Sequence, residues 1–159
     1  MKTQNGFTLI ELVIVIIVLG ILAATAVPKF INLQDDAKVS AMKGVEAAVH
    51  SAANIVYSKS AIDGTETSTT AGASAAGVTI INGYPTADAA GIVAAVELSG
   101  FEGKADNNNN LIFVSKKEQA NADLCLLYKA STGTGTGYDL DKGKMLNSAC
   151  NVSAPNNEW

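Results

Sequence analysis

Few residues in this chain have types and spacings that could do chemistry, and the most pointed of them is Glu11. It is the single charge in Phe7–Val27, a stretch otherwise almost wholly apolar. As a helix rising about 1.5 Å per residue, that stretch reaches about 30 Å, the hydrocarbon thickness of a bilayer. A carboxylate in such surroundings is costly and marks function by default, unless it lies close enough to the headgroups to snorkel. Glu11 stands one turn inside the start of the stretch. A cut after Gly6 would give Phe7 a free α-ammonium, and a carboxylate attracts an ammonium strongly where water is thinned out. The positive end of the helix favours the acid as well. The pattern therefore points to a charge pairing in an apolar setting, with a tolerated interfacial acid as the other reading.

The remaining candidates are weaker. An enzyme needs a nucleophile, a base and a stabiliser in one place. The only histidine, His50, falls on the polar side of a helical pattern, where a solvated side chain is expected. There is no nucleophile elbow, phosphate-cradling loop or zinc spacing, and Thr132–Gly137 lacks the lysine of a P-loop. Asp139-x-Asp141 resembles the start of a calcium loop but lacks the next alternate ligand and the late glutamate. We therefore expect no enzyme, no cofactor and no metal. Cys125 and Cys150 allow one intramolecular pairing. Export would favour a disulfide, the alternative being two buried free thiols. Tyr57, Tyr84, Tyr138 and Trp159 are scattered along the chain and are expected to serve packing.

Composition narrows the class. The chain has 159 residues, with 11 basic against 15 acidic side chains and a formal charge of −4. That balance excludes a nucleic-acid surface as the main function, because phosphate binding needs concentrated positive charge. The hydrophobic fraction of 48% is inflated by Phe7–Val27. The rest of the chain is rich in Ala, Ser, Thr and Gly, enough for one small domain. Lys2 would face the cytoplasm and the bulk of the chain the outside. An ordinary signal peptide is the competing reading, with Leu12–Leu22 as its apolar core and Ala24-Thr25-Ala26 as its cleavage site, releasing a soluble binding domain from Val27. The length of the run, the acid inside it and the thin basic region count against it.

These residues must be positioned by a small set of elements. Met1–Gly6 reads as a leader, residues 7–27 as a membrane helix, residues 28–59 as an amphipathic helix and residues 60–159 as a globular α+β region. After Pro28, Val39, Met42, Val45, Val49, Ala52 and Val56 recur at spacings of three and four, with Asp36, Ser40, Lys43, His50 and Asn54 opposite. This helix should run to about Lys59. Ser60–Gly77 reads as a surface loop, Val78–Asn82 as a strand ended by Asn82-Gly83, and Ala87–Leu98 as a short helix capped by Thr86. Leu111–Lys116 and Asp123–Lys129 read as strands, the second apolar on both faces, as in an inner strand. Asp106–Asn110 reads as a polar turn, Thr132–Gly137 as a flexible loop, and Tyr138–Leu140 and Lys144–Leu146 as short strands. The expected fold class is α+β: an antiparallel sheet laid on the second half of a long helix.

The residues around the cut carry a resemblance. Lys2–Gly6 followed by Phe7-Thr-Leu-Ile-Glu11 resembles the class III signal of type IV pilins: a short basic leader ending in Gly, then Phe, with Glu at the fifth mature position. The likeness is strong from Met1 to about Tyr57. Pro28–Asp36 looks most like the major pilins of mannose-sensitive haemagglutinin (MSHA) pili. The resemblance implies a type IVa major pilin, the structural subunit of an adhesive extracellular fibre. It implies that a prepilin peptidase cleaves Gly6–Phe7 and methylates the Phe7 amine. It implies an inner-membrane precursor that meets the pilus assembly machinery and then polymerises with copies of itself, Glu11 pairing with the Phe7 amine of a neighbour. It also implies unwinding between Gly20 and Pro28 in the fibre, and makes Ser60–Gly77 the variable αβ-loop. Type II secretion pseudopilins share this signal. They often bind calcium, and their major forms usually lack the disulfide, so the cysteine pair favours the pilus subunit.

Overall fold

The computed structural model describes residues 6–106, 108–117 and 123–152. Most of the expected leader, Met1–Asn5, and Trp159 lie outside these residues. The chain divides into two compact units, residues 1–38 and 39–159. The helix α1 spans Leu9–Asp63.

In the second unit the apolar stripe of α1 does what its spacing requires. Met42, Val45, Val49, Ala53 and Val56 are buried, while Ser40, Lys43, His50 and Asn54 are exposed. Ala53, rather than Ala52, completes the buried row. Steps of four and three from Val49 keep the stripe on one side of a helix with about 3.6 residues per turn. The helix continues four residues past Lys59, whose ammonium meets the Asp63 carboxylate at 2.6 Å one turn on. Gly64 then ends it at φ +68°, a conformation costly for other residues.

The sheet against this stripe has five antiparallel strands in chain order: β4 (Phe101–Ala105), β5 (Leu111–Ser115), β6 (Leu124–Lys129), β7 (Asp139–Leu146) and β8 (Ala149–Asn151). The central strand is β6, which explains its two apolar faces. Leu126 and Tyr128, with Leu111 and Phe113 of β5, pack on Met42, Val45, Val49 and Ala53. Cys125 and Leu127, with Ile112, Val114 and Met145, form a second cluster from the residues that alternate with them. A half-buried pair, Lys142 to Glu46 at 3.0 Å, ties β7 to α1. The structure is thus α+β, a long N-terminal helix with a C-terminal antiparallel sheet.

Several elements differ from the sequence reading. The two short strands expected at Tyr138–Leu140 and Lys144–Leu146 are one strand, β7. Gly143 lies opposite Cys125 in the ladder and keeps it continuous. The expected loop Ser60–Gly77 begins with the end of α1 and contains β1 (Ala73–Ala75), which pairs with β2 (Val78–Ile81). Ser60 and Ala75 in it are fully buried. Asn82 and Gly83 turn β2 into β3 (Tyr84–Pro85), both at positive φ, as a two-residue hairpin demands. The helix expected over Ala87–Leu98 shrinks to α2, Ile92–Ala95. Thr86 does not cap it: α2 starts after Gly91 with no side-chain cap, and the Thr86 N–H and hydroxyl both donate to the Thr79 carbonyl, at 3.0 and 3.2 Å. Asp88 accepts from Gly91 N at 2.7 Å and closes a turn instead. Thr132–Gly137, expected to be loose, is cross-tied: Thr136 N donates to Gly133 O at 3.0 Å, and Ser131 Oγ donates to Thr136 O at 2.7 Å.

Tyr128 illustrates how tightly this core is closed. It is fully buried, and its hydroxyl donates to Pro85 O at 2.7 Å. Burial, helped by the neighbouring Tyr138 and Tyr84 phenols, pushes its pKa far above the ordinary phenol value. Unfolding returns the phenol to about 10. The stabilisation is therefore complete below that value and is lost as pH rises above it. We expect the urea midpoint of the chain in detergent micelles to fall steeply between about pH 9.5 and pH 11, and Tyr128→Phe to flatten that fall. At neutral pH the same variant loses about 1 kcal/mol with the hydrogen bond. An unchanged alkaline slope in the variant would contradict this assignment.

Candidate functional site

In the first unit α1 begins with a reciprocal cap. Thr8 N and Thr8 Oγ1 both donate to Glu11 Oε2, at 2.8 and 2.7 Å, and Glu11 N donates back to Thr8 Oγ1 at 3.3 Å. This is a capping box, which satisfies backbone donors that the first helical turn leaves open. Attention to the charge of Glu11 hides this second role in the sequence, although Thr8-x-x-Glu11 spells the motif. Both Thr8 bonds land on Oε2. Among the described residues Oε1 takes no bond, so the carboxylate keeps one oxygen for a partner.

The surface behind this cap is apolar and uncovered. Phe7 is 94% exposed. From Leu9 to Leu22 every large aliphatic side chain is exposed. An 18-residue window of the helix reaches a mean hydropathy of 2.9, with none of it buried. Length and composition suffice to cross a membrane, and only lipid or other apolar helices could cover such a surface. Gly20 and Pro28 both lie within α1, which stays helical through them. Pro28 lacks the amide donor for its turn and Gly20 is a weak helix former, so both are places where the helix can yield.

The other sequence candidates fall elsewhere. Cys125 in β6 and Cys150 in β8 form a disulfide with Cα atoms 5.9 Å apart. Asp139 and Asp141 lie on the regular strand β7 rather than in a loop, and Asp141 is bound by the Lys129 ammonium. Among the described residues no three His, Cys, Asp or Glu side chains come together as a metal site. His50 is exposed as expected, but its Nδ1 is hydrogen-bonded to the Tyr138 hydroxyl. The tyrosines that are scattered in the sequence are gathered in the fold. Tyr57 stacks on Tyr84 at 4.6 Å, Tyr84 meets Tyr138 edge-on at 5.3 Å, and Tyr138 lies against Tyr128 at 5.4 Å. Spacing along a sequence does not reveal which strands a sheet brings beside a helix.

Comparison with known proteins finds relatives of the sequence. The model for the prokaryotic N-terminal methylation motif matches residues 1–27. The chain is 55% identical over 48 residues to a type IV narrow pilus major component of Thermus thermophilus, covering 30% of this chain and 41% of that protein. It is 51% identical over 43 residues to the type II secretion system core protein G of Pseudomonas aeruginosa, covering 27% and 30%. The chain thus spans less than half the length of these two relatives. With the type IV major alpha-pilin of Moraxella bovis it shares 35% identity over 126 residues, covering 78% of this chain and 76% of the relative. No solved structure matches the chain.

Proposed function

Because the chain belongs to the type IV pilin family, we propose that it is the repeating structural subunit of an extracellular type IV pilus used in surface attachment, and not an enzyme. The observation that carries this proposal is the methylation motif over residues 1–27 on a helix whose apolar window is wholly unburied. Such a surface needs lipid before assembly and sister helices afterwards.

On this reading residues 1–6 are the leader, and residues 7–27 form the membrane and fibre-core helix. Residues 28–59 form its amphipathic continuation, and residues 60–159 the exposed coat. Prepilin peptidase cuts Gly6–Phe7 and methylates Phe7. The Glu11 carboxylate then meets the Phe7 ammonium of a neighbouring copy as the subunit leaves the inner membrane, and Gly20–Pro28 unwinds in the fibre. The finer assignment to MSHA-type pili rests on Pro28–Asp36 alone.

The similarity to a type II secretion core protein supports one second reading, a pseudopilin. The Cys125–Cys150 disulfide speaks against it. A calcium-dependent rise in melting temperature would favour it.

N-terminal sequencing and intact mass of the fibre protein test the main reading. The expected mature chain begins at Phe7 and carries one added methyl group. A chain beginning at Val27 would instead identify an ordinary secreted domain and overturn the proposal.

A further inference from the structure

Two acceptor oxygens in the second unit are buried without a hydrogen-bond partner among the described residues: Glu66 Oε2 and Asn82 Oδ1. Both residues line one pocket of about 200 Å³, together with Tyr57, Tyr84 and the Thr134–Gly137 loop. Asn82 is only 4% exposed, so its unpaired oxygen is a substantial cost unless something donates to it.

The orientation of the Asn82 amide follows from the chemistry around it. Its Nδ2 lies 3.1 Å from Ser131 Oγ. A hydroxyl has one proton, and that of Ser131 goes to the Thr136 carbonyl at 2.7 Å. Ser131 must therefore accept from Asn82, which leaves the Asn82 carbonyl oxygen as the atom without a partner. Asn82 itself is held at φ +51°, with its N–H donating to Ser68 O at 2.7 Å. The site is thus built: an asparagine held by its bonds to Ser131 and Ser68, a carboxylate oxygen and two stacked phenol rings.

We propose that this pocket binds a primary ammonium group on a short aliphatic arm. The pocket's unmet demand is for donors, and one of its two orphan acceptors belongs to a carboxylate. A polyol could donate to both oxygens but would leave the charge uncompensated. An ammonium supplies three donors and the opposing charge together. The tyrosine rings pack against its methylenes and attract the cation. The volume exceeds what a bare ammonium ion needs and suits a four- to six-carbon amine. A lysine of another polypeptide and a free aliphatic amine offer this same chemistry.

The test is an NMR titration of the full chain in detergent micelles at matched ionic strength. The probes are 1,5-diaminopentane, Nα-acetyl-lysine methylamide and xylitol. The expected result is saturable shifts at the Asn82 side-chain amide and at Gly135 and Gly137 with an amine probe, at an apparent Kd on the order of 1 mM. Glu66→Gln, which keeps the shape and removes the charge, weakens this by about tenfold or more. Glu97→Gln, outside the pocket, leaves it unchanged. Binding of the lysine amide as tightly as the diamine identifies a protein lysine as the source, and binding of the diamine alone identifies a free amine. Saturation by xylitol without either amine would overturn the proposal. So would equal binding by Glu66→Gln, or no saturable shift with either amine.

Discussion

Replacing Glu11 by glutamine is expected to reduce fibres sheared from the cell surface by about a hundredfold or more, while the precursor still reaches the membrane. The outcome turns on the two tasks that one carboxylate holds. As a cap, Glu11 accepts from Thr8 N and Thr8 Oγ1. Glutamine serves that purpose nearly as well, since either residue completes a capping box. As a charge, Glu11 is the sole acid in Phe7–Val27 that could answer the ammonium which the proposed cleavage creates at Phe7, and glutamine cannot replace it. The variant therefore keeps the helix start and loses only the pairing. Helices in lipid gain little from apolar contact with one another, because the surrounding tails are equally apolar. On the proposed reading, a polar interaction is then the means by which one subunit finds its register on the next. Its loss recurs at every addition, which is why a fibre should disappear rather than thin.

Two companion variants sharpen the result. Thr8→Val removes the hydroxyl that donates to Oε2 and accepts from Glu11 N, but leaves the charge. It should reduce fibre yield far less than Glu11→Gln does. Glu11→Ala loses both tasks and should be no better than the glutamine variant. Quantitation of sheared fibres against membrane-fraction precursor checks all three. Normal fibres from Glu11→Gln would mean that the carboxylate acts only as a cap, and the pairing would have to be abandoned.

What could be read from the sequence was whatever repeats on the period of a single element. The buried row from Met42 to Val56 follows the 3.6-residue turn, and the double apolar character of Leu124–Lys129 follows from its place in the middle of five strands. Asn82-Gly83 marked the end of a strand, and the two positive φ angles that few other pairs tolerate make it a hairpin turn in the fold. The edge strands had no such signal. Phe101–Ala105 pairs on one side only and carries Glu, Gly and Lys among its five residues, so no alternation marks it. Ala73–Ala75 is too short and too small in side chain to differ from loop. The short helix α2 failed for another reason: Thr86 and Asp88 are good capping residues, but β2 had already claimed Thr86 and the turn to Gly91 had claimed Asp88. Tertiary partners outbid local preference there.

The segment proposed to carry processing and assembly is written more compactly in the sequence than the fold that carries it. Gly6, Phe7 and Glu11 lie within six residues of one another, and a processing signal is read as a linear string. The ammonium pocket lies at the other extreme. Tyr57, Glu66, Asn82 and Thr134–Gly137 come from four separate stretches. Nothing in their spacing relates them, and only the unpaired oxygens of the folded chain single them out.

Removing the disulfide by the double substitution Cys125→Ala and Cys150→Ala is expected to lower stability by about 3–4 kcal/mol. The two cysteines are 25 residues apart. Closing a loop of that size removes much of the freedom of the unfolded chain, whatever the share of enthalpy in the effect. The native side adds to it. Cys125 is fully buried between Ile112, Val114, Leu127 and Met145, and Cys150 packs at the edge of that cluster. Strand β8 (three residues) pairs with β7 through Lys144–Asn151, Met145–Cys150 and Leu146–Ala149. Gly143 lets this strand lie close, since a side chain there would meet Asn151 O and the sulfur of Cys150. Alanine at both positions avoids a buried hydroxyl and a free thiol, so the loss reports the cross-link and its packing. Urea titrations of the oxidised chain, the reduced chain and the double variant in detergent micelles measure it. The reduced chain and the variant should unfold together, well below the oxidised protein. If the covalent bond stabilises only the β8 tail, the midpoint will barely move and the tail amides alone will exchange faster. A global fall with all amides losing protection together is the outcome that the central position of Cys125 in the sheet requires.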